Sequence, residues 1–369
     1  MKVFFMESAA KKVPKIPPLQ YMRFSRAKDK SETELLNNAV IEKEIGKEKR
    51  IALRLENNGE LVLGNGLELF LQACRRRLRD PTWGRILDHS HNVRKYAYCI
   101  SNSWQKQKEL NSTPLDAVSL YVIEKVSGYH DIGKTLITPY LVNKEDGTWF
   151  GIGKGARIDF KKELDVLRLA HLEAGLKLLD VYKAFMDSHE YETARWVIAG
   201  HHLAHNGIGT ASAPSYPAKI DGLDINAYIM QNGLPLVSRI MRTADIYCAI
   251  LENRFYLAES ERIVMKAKNV APDDAALSML ITVAGIDVDP AMVGCLLMGK
   301  YKLEPEVASM VVKHLSCKER DVLSKRGGDI KFSLEKVLPA EVFQAIISRA
   351  PSTDWKRLSA MMKDAQPLV

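Results

Sequence analysis

Two kinds of hydrophobic pattern divide the chain. In residues 51–63, IALRL, ENNGE and LVL alternate apolar and polar residues around an Asn-Gly pair, which predicts one short β-hairpin. From Gly66 onward, apolar residues recur at steps of three and four, which is typical of amphipathic helices. In residues 161–182 one helical face carries Leu164, Leu167, His171, Ala174 and Leu178.

This helical pattern predicts an all-α fold. The predicted helices between residues 83 and 257 cover residues 83–107, 115–128, 161–182, 191–202 and 236–251. Because strand patterns are scarce after residue 65, a helical bundle is favoured over an α/β sheet. Two glycine-rich runs, residues 143–158 and 206–225, are predicted as loops.

The chain is long enough for more than one folding unit, and we predict three regions. Residues 1–70 form an N-terminal appendage that contains the short hairpin, and its first 48 residues are typical of a loose arm. Residues 71–300 form the main helical domain. Residues 301–369 form a helical C-terminal extension.

Composition narrows the setting. Lys and Arg number 53 against 45 for Asp and Glu, a net charge of +8 that favours anionic partners such as nucleotides. No recognised nucleic-acid-binding motif accompanies this charge, so a nucleic-acid partner ranks last. The five cysteines are scattered and form no C-x-x-C pair, as in a reducing compartment. Without a signal peptide or an apolar run of about 18 residues, a cytoplasmic protein with no transmembrane segment is predicted.

Histidines and aspartates form an ordered series. It comprises His89 in HSHNV, His130 and Asp131 in HDIGK, His171 in HLEAG, the pair His201 and His202, and Asp245 in RTADIY. A single histidine on an apolar helix face is usually only packed and hydrogen-bonded, but here five separate positions fall in or beside predicted helices. Side chains from facing helices commonly build a metal site in a bundle, and one aspartate with two oxygens can hold two ions. Imidazole with carboxylate suits iron, manganese, zinc or nickel.

The series resembles the HD-GYP branch of the HD superfamily of metal-dependent phosphohydrolases. The family pattern runs H-S-x-N/R-V, H-D-x-G-K, H-x-x-x-G, H-H-E-x-x-D-G-x-G-Y-P and then an Asp in A-D-x-x-x-A. The counterparts here are residues 89–93, 130–134, 171–175, 201 onward, and Ala244 and Asp245 with Ala249. The match runs from about residue 83 to residue 290, somewhat over half of the chain.

The resemblance implies an HD-domain bundle over residues 71–300 that hydrolyses a cyclic dinucleotide in signalling, either cyclic di-GMP or cyclic GMP-AMP. It implies a hydroxide activated by two divalent cations, with iron or manganese expected first and zinc or nickel as alternatives. The two cation sites would share Asp131, one completed by His89, His130 and Asp245 and the other by His171, His201 and His202. Lys134 would contact the scissile phosphate and assist the leaving oxygen, and Arg254 would contact phosphate or base.

The sequence departs from the family in the loop after the histidine pair. Leu203 stands for the family Glu and Asn206 for its Asp. Gly209-Thr210-Ala211 replaces G-Y-P, and Tyr216-Pro217 comes only after an insertion. No metal donor is altered, so the departure concerns the substrate side of the site. Arg85 stands where three-metal members carry a Glu, and two cations are therefore predicted.

Two alternatives remain open at this point. One is an HD-type nucleotidase or phosphodiesterase that acts on linear or mononucleotide substrates. The other is a catalytically weak module that binds a cyclic dinucleotide for signalling. Relative rates on a panel of nucleotides would distinguish the nucleotidase from an enzyme that acts on cyclic dinucleotides. Tight binding of a cyclic dinucleotide without product would favour the signalling module. The oligomeric state is left open, a homodimer included.

The remaining histidines are not predicted as metal ligands, and His91 is expected at the surface or behind a ligand. His91 lies two positions after His89 and so faces about 160° away on a helix, while His205 is expected to be exposed on the altered loop. His189 and His314 fit no pattern. The run GIGKGAR at residues 151–157 lacks the spacing of a P-loop and is predicted as a loop, with Lys154 and Arg157 as candidate phosphate contacts.

Overall fold

A computed structural model describes residues 30–106, 113–137, 160–205, 219–252, 276–277, 280, 284–285 and 287–315. The described part of the chain is mostly helical and has one two-stranded hairpin. Its helices are α1 (Lys30–Asn57), α2 (Gly66–Leu78), α3 (Gly84–Lys106), α4 (Ala117–Val126), α5 (Phe160–Asp180), α6 (Ser188–Gly200), α7 (Ile225–Asn232), α8 (Leu236–Leu251), α9 (Pro290–Tyr301) and α10 (Pro305–Leu315). Short 3-10 turns cover Pro81–Trp83, Ser127–Tyr129, Ile132–Leu136 and Lys183–Phe185. The hairpin strands are β1 (Lys219–Ile220) and β2 (Leu223–Asp224).

The all-α fold class is confirmed for the described residues. Each of the five predicted helices has its counterpart, namely α3, α4, α5, α6 and α8, and α8 has the bounds that the periodicity predicts. On α5, the side chains of His171, Ala174 and Leu178 are buried, as expected for the apolar face of an amphipathic helix.

Aspartates fix where four of these helices begin. The side chain of Asp116 accepts a hydrogen bond from the Ser119 amide at the start of α4, and Asp187 does the same for two amides of α6. Asp224 precedes α7 and Asp289 precedes α9 in the same way. A short acceptor at this position satisfies amides that have no partner inside the helix, and its charge complements the helix dipole. The starts of α4 and α6, the two helices that lead to His130 and to His201, are therefore encoded locally.

The three helices that carry members of the histidine and aspartate series, α3, α5 and α8, and α6, which leads to the histidine pair, are neighbours in the bundle. α3 packs along α8, α8 packs on α6, and α6 packs on α5. α4 fills the side between α3 and α6, and α9 lies against α3. The core between them includes fully buried side chains such as Ile100, Ile123, Leu172 and Tyr247. Burial of this size is the main source of stability in a helical bundle, and here it also holds the helices around one central point.

The predicted hairpin at residues 51–63 is wrong. Residues up to Asn57 belong to α1, and Ile51 and Leu53 from the supposed strand are exposed. The Asn-Gly pair ends the helix: Gly59 has φ 71°, its amide donates to the Glu56 carbonyl, and the next amide donates to the Leu55 carbonyl. This is a Schellman motif, which needs a left-handed residue just as a tight hairpin turn does. The local signal was therefore compatible with two structures.

The described hairpin lies instead within the second predicted loop. Lys219 pairs with Asp224 and Ile220 with Leu223, around a two-residue turn of Asp221 and Gly222. Both turn residues have positive φ, at 42° and 73°. That geometry is the type I′ turn that the right-handed twist of two strands favours, and Asp-Gly is among its preferred sequences.

The described part of the predicted appendage packs on the bundle. α1 contacts α5, and Ile41 and Ile45 are buried in the shared core. The carboxylate of Glu48, also buried, accepts hydrogen bonds from the Tyr182 hydroxyl at 2.6 Å and from Arg76 at 2.6 Å. None of the described helices combines the length and apolar character that crossing a bilayer requires.

Candidate metal centre

The structure brings all seven residues of the series together. His89 lies on α3, His171 on α5 and Asp245 on α8, whereas His130, Asp131, His201 and His202 lie just beyond helix ends. Their donor atoms form two adjacent groups, and within each group the atoms lie within 4.8 Å of one another. One group is His89, His130 and Asp245, and the other is Asp131, His171, His201 and His202. These groups could hold metal ions.

Backbone carbonyls at helix ends orient the rings of His130 and His201. α6 ends at Gly200, and Nδ1 of His201 donates to the Ile198 carbonyl at 2.7 Å. In the same way, Nδ1 of His130 donates to the Ser127 carbonyl at 2.9 Å in the turn after α4. Each ring thus donates to the backbone carbonyl three residues earlier. Carbonyls at the end of a helix have no hydrogen-bond partner inside the helix, so the imidazole supplies one. With the proton fixed on Nδ1, the lone pair of Nε2 points into the centre in both rings.

Glycines allow the motif backbones to approach closely. A Cβ on Gly133 would lie 1.8 Å from the His171 carbonyl oxygen and 2.7 Å from the Gly175 amide nitrogen. The HDIGK turn and helix α5 therefore meet backbone to backbone, which places Asp131 beside His171. A Cβ on Gly200 would lie 1.8 Å from the Ser238 hydroxyl of α8. The glycine of HDIGK and Gly200, which precedes the histidine pair, are thus explained by packing.

Asp131 stands between the two groups. Its Oδ1 lies 3.4 Å from Nε2 of His171 and 3.6 Å from Nε2 of His201. Its Oδ2 lies 3.6 Å from Nε2 of His130 and 3.9 Å from Nε2 of His89. Each carboxylate oxygen therefore faces a different set of imidazole nitrogens, which is the arrangement that a ligand shared by two cations needs.

The second aspartate completes the first group. Oδ1 of Asp245 lies 3.0 Å from Nε2 of His89 and 3.8 Å from Nε2 of His130. Its Oδ2 lies 3.9 Å from Nδ1 of the half-buried His202. The second carboxylate therefore also touches both groups at their edge.

The two buried aspartates stay ionised because basic side chains surround them. Burial alone would raise the pKa of Asp131, but Lys134, His130 and the neighbouring imidazoles hold that pKa well below its usual range. Burial likewise opposes ionisation of Asp245, and its contacts with His130 and His89 keep its pKa well below the usual range. Both carboxylates are therefore charged at neutral pH. Burial lowers the pKa of His130, and burial together with His201 and His171 lowers that of His202, so these imidazoles are neutral.

Two buried donor atoms of the series have no hydrogen-bond partner among the described residues, which fits cation binding. Nε2 of His130 and Oδ1 of Asp131 are buried and have no partner in hydrogen-bond geometry among the residues described. Buried polar atoms are ordinarily paired, because an unpaired one keeps its full desolvation cost. Both atoms belong to the series and face its other donors, so a cation between them would satisfy them.

Sequence reasoning missed Glu252. Its carboxylate lies 3.0 and 3.1 Å from Nδ1 of His89 and accepts a hydrogen bond from Asn92 at 3.2 Å. A signal existed in the sequence: Glu252 follows Asp245 by seven residues, two turns of α8, which places both on one helix face.

The other predicted residues have different outcomes. Lys134 is partly exposed and its ammonium group contacts Oδ2 of Asp131, directly beside the two groups. His91 is exposed on α3, as predicted. His205 is half-buried rather than exposed, because its amide donates to the Asp287 carbonyl and its ring lies 3.8 Å from Asp289. His189 lies 3.0 Å from Asp116, away from the centre.

Several predictions fall on other parts of the chain. Three of them lie outside the described residues. They are the proposed substrate contact Arg254, the loop residues Lys154 and Arg157, and the segment with Gly209-Thr210-Ala211 and Tyr216-Pro217. Leu203, directly after the histidine pair, is buried. A search of protein-family models, curated proteins and solved structures gives no match for this chain.

Proposed function

We propose that this chain is a metal-dependent phosphodiesterase of the HD superfamily, with an HD-GYP-like domain over residues 71–300, that hydrolyses a cyclic dinucleotide. The observation that carries the proposal is the position of Asp131, whose two oxygens face two separate groups of imidazoles. A shared carboxylate between two such groups is the usual support of a two-metal hydrolytic site.

Two divalent cations are proposed. His89, His130 and Asp245 would hold one, His171, His201 and His202 the other, and Asp131 would hold both. When bound, such a pair supplies an activated water and neutralises charge on a phosphoryl group. Nitrogen and oxygen donors without thiolate suit iron or manganese, with zinc and nickel as alternatives.

The residues of this chain supply orientation and charge around that pair. The imidazoles of His130 and His201 are held by backbone carbonyls, so their lone pairs need no reorganisation when a cation binds. Lys134 is the one positively charged side chain whose contact with Asp131 is described, and its partly exposed ammonium can reach a phosphate oxygen at the same edge. There it would stabilise charge on the phosphate and on the leaving oxygen.

The choice of a cyclic dinucleotide rests on the order and spacing of the five motifs. The net charge of +8 agrees with an anionic substrate but does not select one. Because the segment after His202 departs from the family pattern, linear dinucleotides and mononucleotides form the second class of candidate substrates.

A substrate panel tests the proposal. The full chain, purified without chelator and supplied with manganese or ferrous ion, would be assayed on cyclic di-GMP, cyclic GMP-AMP, linear dinucleotides and deoxynucleoside triphosphates. We expect the highest kcat/KM on a cyclic dinucleotide, with a linear dinucleotide as first product. Turnover of mononucleotides alone would indicate a nucleotidase instead. Tight binding of a cyclic dinucleotide without product would indicate a signalling module.

A further inference from the structure

The ring of His89 has a second carboxylate contact on the side that faces away from the two groups. Nε2 of this ring faces Asp245 at 3.0 Å, and Nδ1 on the opposite edge faces both oxygens of Glu252 at 3.0 and 3.1 Å. His89 is only 1% exposed, and its ring is held between the carboxylates of Asp245 on α8 and Glu252 directly after α8. With the lone pair of Nε2 given to a cation, Nδ1 would carry the proton and donate it to Glu252.

Glu252 is itself fixed in place. It follows directly after α8, where its amide donates to the Cys248 and Ile250 carbonyls. Its Oε1 accepts a hydrogen bond from Asn92, which lies three residues after His89 on α3. The pair His89 and Asn92 on one helix therefore meets a single carboxylate at the end of the other helix. This contact also locks the register of α3 against α8.

The partner of His89 differs in kind from those of two other rings. Nδ1 of His130 and Nδ1 of His201 donate to neutral backbone carbonyls, whereas Nδ1 of His89 donates to a carboxylate. A hydrogen bond to a charged acceptor is roughly twice as strong as one to a neutral acceptor, and it increases the electron density at the opposite ring nitrogen. Among these three rings, His89 is the strongest donor toward a cation.

We propose that Glu252, steadied by Asn92, is a positioning residue that selectively strengthens cation binding at the group formed by His89, His130 and Asp245. This inference rests on the proposed two-metal function and deepens it, because it assigns one residue to one of the two cations. Glu252 does not touch substrate or cation. It acts through the ring of His89.

Manganese binding by the full chain tests this role, with free manganese(II) measured by its paramagnetic signal and bound metal by elemental analysis. In Glu252→Gln the amide oxygen can still accept from Nδ1, but the charge is gone. We expect one of the two manganese ions to bind about tenfold to hundredfold more weakly, as is typical for partners of metal-bound histidines, and the other to change by less than about twofold. Glu56→Gln, an exposed change on α1, is the matched control and leaves both unchanged.

A double-mutant cycle separates positioning from a general structural effect. His89→Ala should bind the same ion measurably more weakly, and Glu252→Gln added to His89→Ala should weaken it no further, because the charge then has no ring to act through. Equal weakening of both ions, or a further loss in the His89→Ala background, would overturn the proposal. Asn92→Ala keeps the carboxylate and offers a second variant, for which a weaker loss of the same ion is expected.

The result also distinguishes this inference from the proposed function. A wild-type chain that binds no manganese, iron or zinc would remove the two-metal proposal itself. A wild-type chain that binds two ions, with both retained at full affinity in Glu252→Gln and Asn92→Ala, would remove only the role of Glu252.

Discussion

At the scale of single residues, the central question is how one carboxylate can serve two groups of imidazoles. Asp131 is 2% exposed and stays charged because Lys134 and the surrounding imidazoles offset the cost of its burial. Its two oxygens have different neighbours, and an asparagine would offer only one oxygen and no charge. The side chain is therefore required in both groups at once.

Asp131→Asn should accordingly remove both cations together. We expect metal affinity to fall by more than the roughly hundredfold that is typical for loss of a supporting residue, and turnover to fall to the background rate. Metal analysis and the rate would be measured on the same preparation. His91→Ala, two residues from His89 but exposed, is the control. Full activity in Asp131→Asn would exclude the shared-ligand arrangement.

Lys134 gives a contrasting residue-scale prediction. Lys134→Ala should keep both cations, because the lysine is not one of the proposed ligands. It should lower kcat by about a hundredfold to a thousandfold, as expected for loss of one group that stabilises developing charge. The measurement pairs kcat with metal content, and Lys106→Ala on the exposed end of α3 is the control. Loss of metal in Lys134→Ala would instead assign the lysine to metal binding.

Protonation of the imidazoles sets a pH limit on metal retention. Burial lowers the pKa of His130, and burial with neighbouring imidazoles lowers that of His202, both from the usual 6.5. Since a lowered pKa means that protons compete with a cation only at lower pH, bound manganese should stay level from about pH 8 to 6.5 and fall below that. Dialysis at a series of pH values followed by metal analysis checks this. Release that begins above pH 7 would contradict it.

At the scale of elements, the site depends on how closely two motifs meet. Gly133 has no space for a Cβ, because that atom would lie 1.8 Å from the His171 carbonyl oxygen of α5. A backbone atom cannot move aside as a flexible side chain can. Any larger residue at this position must therefore separate the HDIGK turn from α5, and with it Asp131 from His171.

Gly133→Ala should destabilise the fold by about 3 kcal/mol and weaken metal binding, because overpacking at a backbone contact forces the elements apart. Urea unfolding followed by circular dichroism gives the free energy, and metal analysis gives the second effect. The matched control is Gly84→Ala at the start of α3, where a Cβ would meet nothing within 4 Å, and it should change stability by less than about 0.5 kcal/mol. Equal effects of the two substitutions would contradict the close approach.

The helices and turns differ in how well the sequence predicts them. The helices with the site are long and strongly periodic, and the histidine series marks the ends of several, so their positions were predicted. The Asn58-Gly59 pair was misread, because left-handed glycine serves a Schellman motif as well as a hairpin, and the choice depends on the burial of Ile41, Ile45 and Ala52 along α1. Glu252 was missed because its role exists only once α3 and α8 are side by side.

At the scale of the whole molecule, α1 is joined to the bundle that holds the site. The buried carboxylate of Glu48 accepts hydrogen bonds from Tyr182, just after α5, and from Arg76 on α2. Arg77 lies 3.7 Å from the other oxygen. The carboxylate on α1 therefore connects α2 with the turn directly after α5, the helix that carries His171. The described part of the N-terminal region thus contributes to the stability of the domain.

Glu48→Ala should lower the free energy of unfolding by about 2 kcal/mol, because it leaves the buried Tyr182 hydroxyl without its acceptor and removes the buried charge beside Arg76 and Arg77. Glu44→Ala, one turn earlier and half-exposed, should cost less than about 1 kcal/mol even though Glu44 also contacts Arg77. Both would be measured by urea unfolding, with metal content recorded below the transition. Because the connection lies at the far end of α5 from the ligands, the folded Glu48→Ala protein should keep both cations. Metal loss without destabilisation would instead mean that α1 acts on the site directly.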